Sequence, residues 1–452
     1  MWVLWVSLAL AGKGHRQADA PADPWKEAQT AGLRPVEASM PDASGVWSLR
    51  GGTVLTAHGE RYEPGYVLVR DGHIAEVGPG DGPAVDRVID VSGRYVTPGL
   101  IDTHSHLGVY PSPGANAHED GNEMVEPVTA DMWAEHAAWP EDPGFERAVA
   151  GGITALELLP GSGNLIGGRG VIVRPIAARG ARAMRFPGAP ETLKMACGEN
   201  PKRVYGDRGG PQTRMGNVAR QREAFLAARA YLDKWEAVAD DGADPPERSL
   251  ELDTLAGVLR GEILPQIHCY RADDMVAMLQ IADEMGFSVR SFHHAVEAYK
   301  IRDLLAERHV AVSTWSDWWG FKMESYDAVL PNAAMVATAG GRAIIHSDSP
   351  IGIQRLNQEA GKAWYDGIDA GFAVSEDEAL RWITLNPAWA LGIDDRTGSI
   401  EPGKLADLVV WSAHPFSVYA RAERVYVAGW QVWDDAHPQV WSDFLRGLEV
   451  VP

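Results

Sequence analysis

Cysteine is scarce: the 452 residues contain only Cys197 and Cys269. A disulfide-stapled scaffold is therefore excluded, because such folds need several pairs. One bridge remains open, since both residues fall near the ends of strand-like runs expected to lie side by side. Positive charge is also short. Forty-one Lys and Arg face 62 Asp and Glu, a net charge of −21. That balance argues against nucleic acid and anionic membrane surfaces as partners. Long apolar runs are missing too. No stretch reaches the roughly 18 residues that cross a bilayer, so no membrane span is expected in the mature chain. Internal repeats are absent, and biased composition is confined to residues 13–45.

What is present begins with a short apolar N-terminus, Met1 to Gly12. It fits the central region of a signal peptide, with Ala18-Asp19-Ala20 as a cleavage site. The expectation is a signal peptide over residues 1–20 and a linker over 21–45. An exported protein, periplasmic or secreted, follows; without cleavage it would be cytoplasmic. At this length, two or three domains or one large barrel with an appendage are expected.

Short strand patterns occupy Trp47–Thr56, Tyr66–Arg70, His73–Val77 and Arg87–Asp90, with a hairpin signal at Asp71-Gly72. From Pro98 the pattern changes to apolar runs alternating with helical stretches. Eight runs read as strands: Gly99–Asp102, Ile153–Leu158, Val171–Pro175, Thr192–Ala196, Leu264–His268, Ser288–Phe292, Val310–Thr314 and Arg342–His346. Amphipathic helices are expected at Ala272–Met285 and Ala295–Arg308, and a helical insertion at Arg203–Leu259. Such alternation predicts parallel strands, and eight of them predict an α/β fold: a (β/α)8 TIM-like barrel over residues 98–386. The strands after Asn386-Pro387 are too few to be stable alone. They are expected to join residues 46–97 in one small composite β-sandwich, with 387–452 as its C-terminal part.

Barrel chemistry sits at the C-terminal ends of strands. His104 and His106 end the first strand, and alternation points both to one side. Lys194 lies on strand four, His268 ends strand five, His293 and His294 end strand six, and Asp348 follows strand eight. Histidines and a carboxylate converging on one mouth suit a divalent metal, with Zn²⁺ the best match to N and O ligands.

The run Pro98-Gly99-Leu100-Ile101-Asp102-x-His104-x-His106 resembles the signature of the amidohydrolase superfamily. Leu159–Gly168, Leu193–Gly206 and Ile400–Leu408 resemble its imidazolonepropionase-like branch. The resemblance implies hydrolysis of C–N bonds in a small amide or cyclic amide, not ordinary peptide bonds. A metal-activated water would attack, and Asp348 would act as general base and then acid. It implies His104, His106, His268, His294 and Asp348 as metal ligands around one or two ions. Lys194 matches a carboxylated lysine that bridges two ions in relatives, and Glu199 is the alternative. His293 stands where relatives carry Glu. Neighbours on a strand face opposite sides, so His294 is preferred because Glu297 and Tyr299 keep the family spacing behind it. His293 and His346 remain alternative site residues. Arg271, Tyr270 and Asn164 are candidates for substrate binding, the last within the Gly-rich run Gly161–Gly168. Two rival functions stay open: a metallo-dipeptidase of the prolidase type, and a non-catalytic paralogue that binds metal or ligand. A homo-oligomer is also open.

Overall fold

The computed structural model describes Asp23, Trp25, Lys26 and residues 43–438. The expected signal peptide lies outside the described residues, as do most of the linker and residues 439–452. Among the described residues no helix is long and apolar enough to cross a membrane.

Strands from both chain ends form one eight-stranded sheet. The N-terminal members are β1 (Val46–Leu55), β2 (Arg61–Arg70), β3 (His73–Pro79), β4 (Arg87–Asp90) and β5 (Tyr95–Pro98). Positive φ at Asp71 (49°) and Gly72 (76°) makes the tight β2–β3 turn that the Asp-Gly pair predicts. After the barrel strands come β14 (Leu408–Trp411), β15 (Ala422–Val427) and β16 (Trp430–Asp434), and β14 pairs with β5. Trp47, Leu49, Val67, Val96, Leu408 and Tyr426 pack into one apolar cluster, so the two chain ends share a core.

The barrel strands are β6 (Leu100–Ser105), β7 (Ile153–Leu158), β8 (Ile166–Val173), β9 (Glu191–Ala196), β10 (Ile263–Cys269), β11 (Ser291–His294), β12 (Ala311–Thr314) and β13 (Ala343–Ile345). They lie side by side in chain order. Between the two edge strands, the Ile101 N–H donates to Ile383 O at 2.9 Å and the Ile345 N–H to Trp382 O at 3.0 Å. Higher up, the Asp348 N–H donates to His104 O at 2.9 Å, tying the last strand to the first at the mouth.

One strand corrects the all-parallel expectation. β8 starts at Ile166 rather than Val171 and runs antiparallel to both β7 and β9. The cause is the connection. Parallel neighbours need a crossover of a dozen or more residues, but only Leu159–Leu165 joins β7 to β8. Part of the Gly-rich run is therefore strand. Gly168 sits at φ +112°, where an added Cβ would lie 2.3 Å from Met132 O.

The expected insertion is helical, with Arg214–Asp241 and Leu250–Leu259 as its main helices. Ala272–Met285 forms the amphipathic helix anticipated, burying Met275, Met278, Leu279 and Ala282 and ending at Gly286 with φ +79°. The helix expected over Ala295–Arg308 is reduced to a 3-10 turn (Ala298–Ile301) and a short helix (Arg302–Glu307). Left-handed backbone at His294 and Ala295 spends the first residues turning the chain.

Candidate metal centre

The mouth of the barrel is organised by β6. Asp102, fully buried, accepts from the His104 N–H and the Ser347 N–H, each at 3.1 Å, and from the Ser347 hydroxyl. Burial pushes its carboxyl up to about 6. This clamp joins the first and last strands and fixes the backbone that carries His104 and Asp348.

His104 Nε2 lies 3.3 Å from His106 Nε2, and Asp348 Oδ1 lies 3.3 Å from His106 Nε2 and 3.6 Å from His104 Nε2. His106 Nδ1 is 2.8 Å from Leu159 O. A carbonyl only accepts, so that nitrogen carries the proton, and in neutral imidazole Nε2 is a bare lone pair. Burial alone would raise the Asp348 carboxyl, yet it sits below the usual carboxylate range, in its ionised form. Acceptor thus faces acceptor, an arrangement that a cation at their centre satisfies.

Lys194 lies beside this triad. Its Nζ is 3.4 Å from His104 Nε2 and 3.1 Å from Pro160 O, and burial pulls the ammonium down to about 8. Glu199 stands apart, 3.5 Å from Lys322 Nζ and partly exposed. The geometry therefore brings Lys194, and not Glu199, to the cluster.

His268 and His294 form the other side, with ring centroids 4.5 Å apart. His294 Nδ1 is 4.0 Å from Asp348 Oδ2. The Nδ1 atoms of both rings are buried without a hydrogen-bond partner among the described residues. Burial holds His104, His268 and His294 well below the ordinary imidazole value, in the neutral form that ligates metal. Tyr270 and Trp315 stack on His294 at 5.0 and 4.3 Å, so the wall here is aromatic. Trp318 and Phe321 extend it outward from Trp315. Orphaned ring nitrogens, bare lone pairs and a carboxylate make a donor set that fits a divalent cation.

Backbone strain marks the same place. Asp348 (φ +48°), His294 (+68°) and Ala295 (+40°) all adopt the left-handed region that non-glycine residues avoid. The turn at His294 also overrides strict alternation. His104 has both strand-six rings as neighbours, His293 at 4.9 Å and His294 at 4.8 Å between centroids. His293 does not face the lone-pair cluster. Its nitrogens meet His104 Nδ1 and Gln266 Oε1 instead. His346 supports the wall: its Nε2 accepts from the His294 N–H at 3.3 Å.

Two substrate candidates are not brought to the cluster. Arg271 pairs with Asp273, with both its hydrogen bonds at 2.8 Å, and stays exposed. It occupies the residue before the helix that starts at Ala272, and Asp273 on that helix takes its guanidinium. Asn164 is buried and turned away. Its Nδ2 donates to Glu123 O, Glu126 O and Thr129 Oγ1, and its Oδ1 accepts from Asn122. It pins the loop after β6 and has no free polar atom for a ligand. Tyr270 alone of the three lines the site.

Sequence reasoning missed Asp102, Gln266, Trp315 and the buried Glu157, whose carboxyl burial pushes up to about 8. It left the bridge between Cys197 and Cys269 open. That bridge is formed, with a Cα separation of 5.3 Å, and it staples the ends of β9 and β10 beside Lys194 and His268.

A TIM-like barrel with histidines, a lysine and an aspartate at the carboxyl ends of its strands is a barrel enzyme whose mouth could hold a divalent metal. Comparison with known proteins specifies it. The model of the amidohydrolase family matches residues 269–432. A solved amidohydrolase from Thermotoga maritima MSB8 is 35% identical, with TM-score 0.79, covering 86% of this chain and 100% of that one. The amidohydrolase tasK of Hapsidospora irregularis is 33% identical over 405 residues, which are 82% of this chain. The chain spans only 40% of that relative's length. An imidazolonepropionase of Rhizorhabdus wittichii is 26% identical over 84% of this chain and 94% of its own. The chain belongs to the amidohydrolase family and is an enzyme.

Proposed function

We propose that this amidohydrolase uses zinc to hydrolyse a C–N bond in a small amide or cyclic amide. The observation that carries the reading is the meeting of His104 Nε2, His106 Nε2 and Asp348 Oδ1 within 3.6 Å of one another. His104, His106, His268, His294 and Asp348 would hold the metal, one ion or two, and Lys194, carboxylated on Nζ, would join them as a ligand; its burial favours the neutral amine that takes up CO₂. Bound zinc supplies a Lewis acid and lowers the pKa of water from about 15.7 to about 7.

The remaining chemistry belongs to the chain. Asp348, in its ionised form, accepts the proton of the attacking water and returns it to the leaving nitrogen. Asp102 and Ser347 keep the Asp348 backbone in place. Tyr270 and Trp315 exclude water from one side and offer a flat apolar surface. We further propose export to an oxidising compartment, which the Cys197–Cys269 bridge supports; cell fractionation checks it.

The test is a screen of N-acyl amides, dipeptides and cyclic imides with the parent and Asp348→Asn. The parent should hydrolyse an amide or imide in a chelator-sensitive way. The variant should lose on the order of 100-fold or more, the usual worth of a positioned acid–base group. Equal activity in the two proteins contradicts the role of Asp348, and chelator-resistant activity contradicts the metal.

A further inference from the structure

His293 is fully buried, and both its ring nitrogens are engaged. Nε2 lies 2.8 Å from Gln266 Oε1, and Nδ1 lies 2.9 Å from His104 Nδ1. Gln266 belongs to the neighbouring β10, two residues before His268. Its amide is fixed from the far side, where Nε2 donates to Ala390 O at 3.0 Å.

These contacts determine where the protons sit. A backbone carbonyl only accepts, so the amide nitrogen of Gln266 must face Ala390 and the amide oxygen must face His293. The amide oxygen also only accepts, so His293 Nε2 carries a proton. Among the described residues no carboxylate pairs with this ring, whose nitrogens meet Gln266 and His104, and a neutral imidazole with Nε2–H is bare at Nδ1. His104 Nδ1 must then donate to it. The bare nitrogen of His104 is therefore Nε2, the atom that stands 3.6 Å from Asp348 Oδ1 and 3.3 Å from His106 Nε2.

We propose that His293 and Gln266 are positioning residues of the metal centre: a relay from Ala390 O through Gln266 and His293 locks His104 with its Nε2 lone pair turned to the ion. The inference rests on the metal-centre reading of the preceding subsection. It gives the adjacent histidines of β11 separate tasks, His294 at the mouth and His293 inside the barrel. Ligating histidines commonly donate to a carboxylate or a carbonyl. Here a histidine and an amide take that place without adding a charge to the barrel interior.

The test is zinc affinity, measured by competition with a chromophoric chelator. The proteins are the parent, His293→Phe, His293→Gln, Gln266→Leu and the His293→Phe/Gln266→Leu double variant. The melting temperature of each metal-free protein reports its fold. His293→Phe should weaken zinc by about 10–100-fold, the usual cost of losing a supporting partner. His293→Gln, whose amide oxygen can accept from His104 Nδ1–H, should recover most of that loss. Because the relay is serial, the double variant should bind no more weakly than His293→Phe. If His293→Phe does not fold, Gln266→Leu and His293→Gln carry the comparison. Unchanged affinity in folded variants, or additive losses in the double variant, overturns the relay alone. A parent that binds no zinc overturns the metal centre and the relay with it.

Discussion

The two sides of the metal cluster are built in different ways. On the β6–β13 side, hydrogen bonds fix each donor: Leu159 O orients His106, and the Asp102–Ser347 clamp sets the backbone of His104 and Asp348. On the β10–β11 side, His294 is held by ring stacking against Tyr270 and Trp315, Asn200 Nδ2 lies 3.4 Å from His268 Nε2, and among the described residues Nδ1 of both His268 and His294 has no hydrogen-bond partner. A hydrogen bond fixes which nitrogen is bare, whereas stacking fixes only the plane of the ring. The first side is thus tied to the backbone, and the second rests on side-chain contacts.

The largest expected effect separates the two sides directly. His104→Ala should abolish tight zinc binding, losing more than the roughly 10–100-fold that removal of a supporting partner costs. His268→Ala should remove one ion and leave the other bound. Chelator titration of both variants checks the order, and the comparison breaks if His268→Ala is the more damaging.

A smaller effect should follow from cutting the bridge. Cys197→Ser with Cys269→Ser opens a link spanning 72 residues of sequence beside Lys194 and His268. Stability should fall by about 2–4 kcal/mol, read from denaturant unfolding. Zinc should leave the His268–His294 side before the His104–His106 side. Unaltered stability and unaltered zinc release would show that the bridge supports neither. The smallest effect belongs to Arg271→Ala. Its guanidinium is exposed and engaged by Asp273, and such surface pairs are worth about 0–1 kcal/mol. Steady-state kinetics should show KM and kcat close to the parent, and a large rise in KM would return Arg271 to the substrate site.

Much of this site was legible in the sequence because it follows one rule. Side chains two apart on a strand share a face, which aligned His104 with His106. The same rule would have found Asp102 two residues before His104, and Gln266 two before His268, had carboxylate and amide been weighed as supports. The ring positions of His293 and His294 were only half legible. Alternation separated their tasks, but the left-handed turn at His294 could not be read from a non-glycine residue. The direction of β8 was hidden in a strand that began five residues early, which shortened its connection to Leu159–Leu165. The positions of Asn164 and Arg271 away from the cluster were not legible because their partners, Asn122 and Thr129 for one and Asp273 for the other, are chosen by packing rather than by strand position. The composite sheet was clear from strand patterns at both chain ends that were each too few to stand alone.

The most direct test of the account is metal analysis of the purified parent beside Lys194→Ala. Two zinc ions per chain in the parent, with at least one lost in the variant, is the predicted result. A single ion that survives the substitution would contradict the bridging lysine and the two-sided centre.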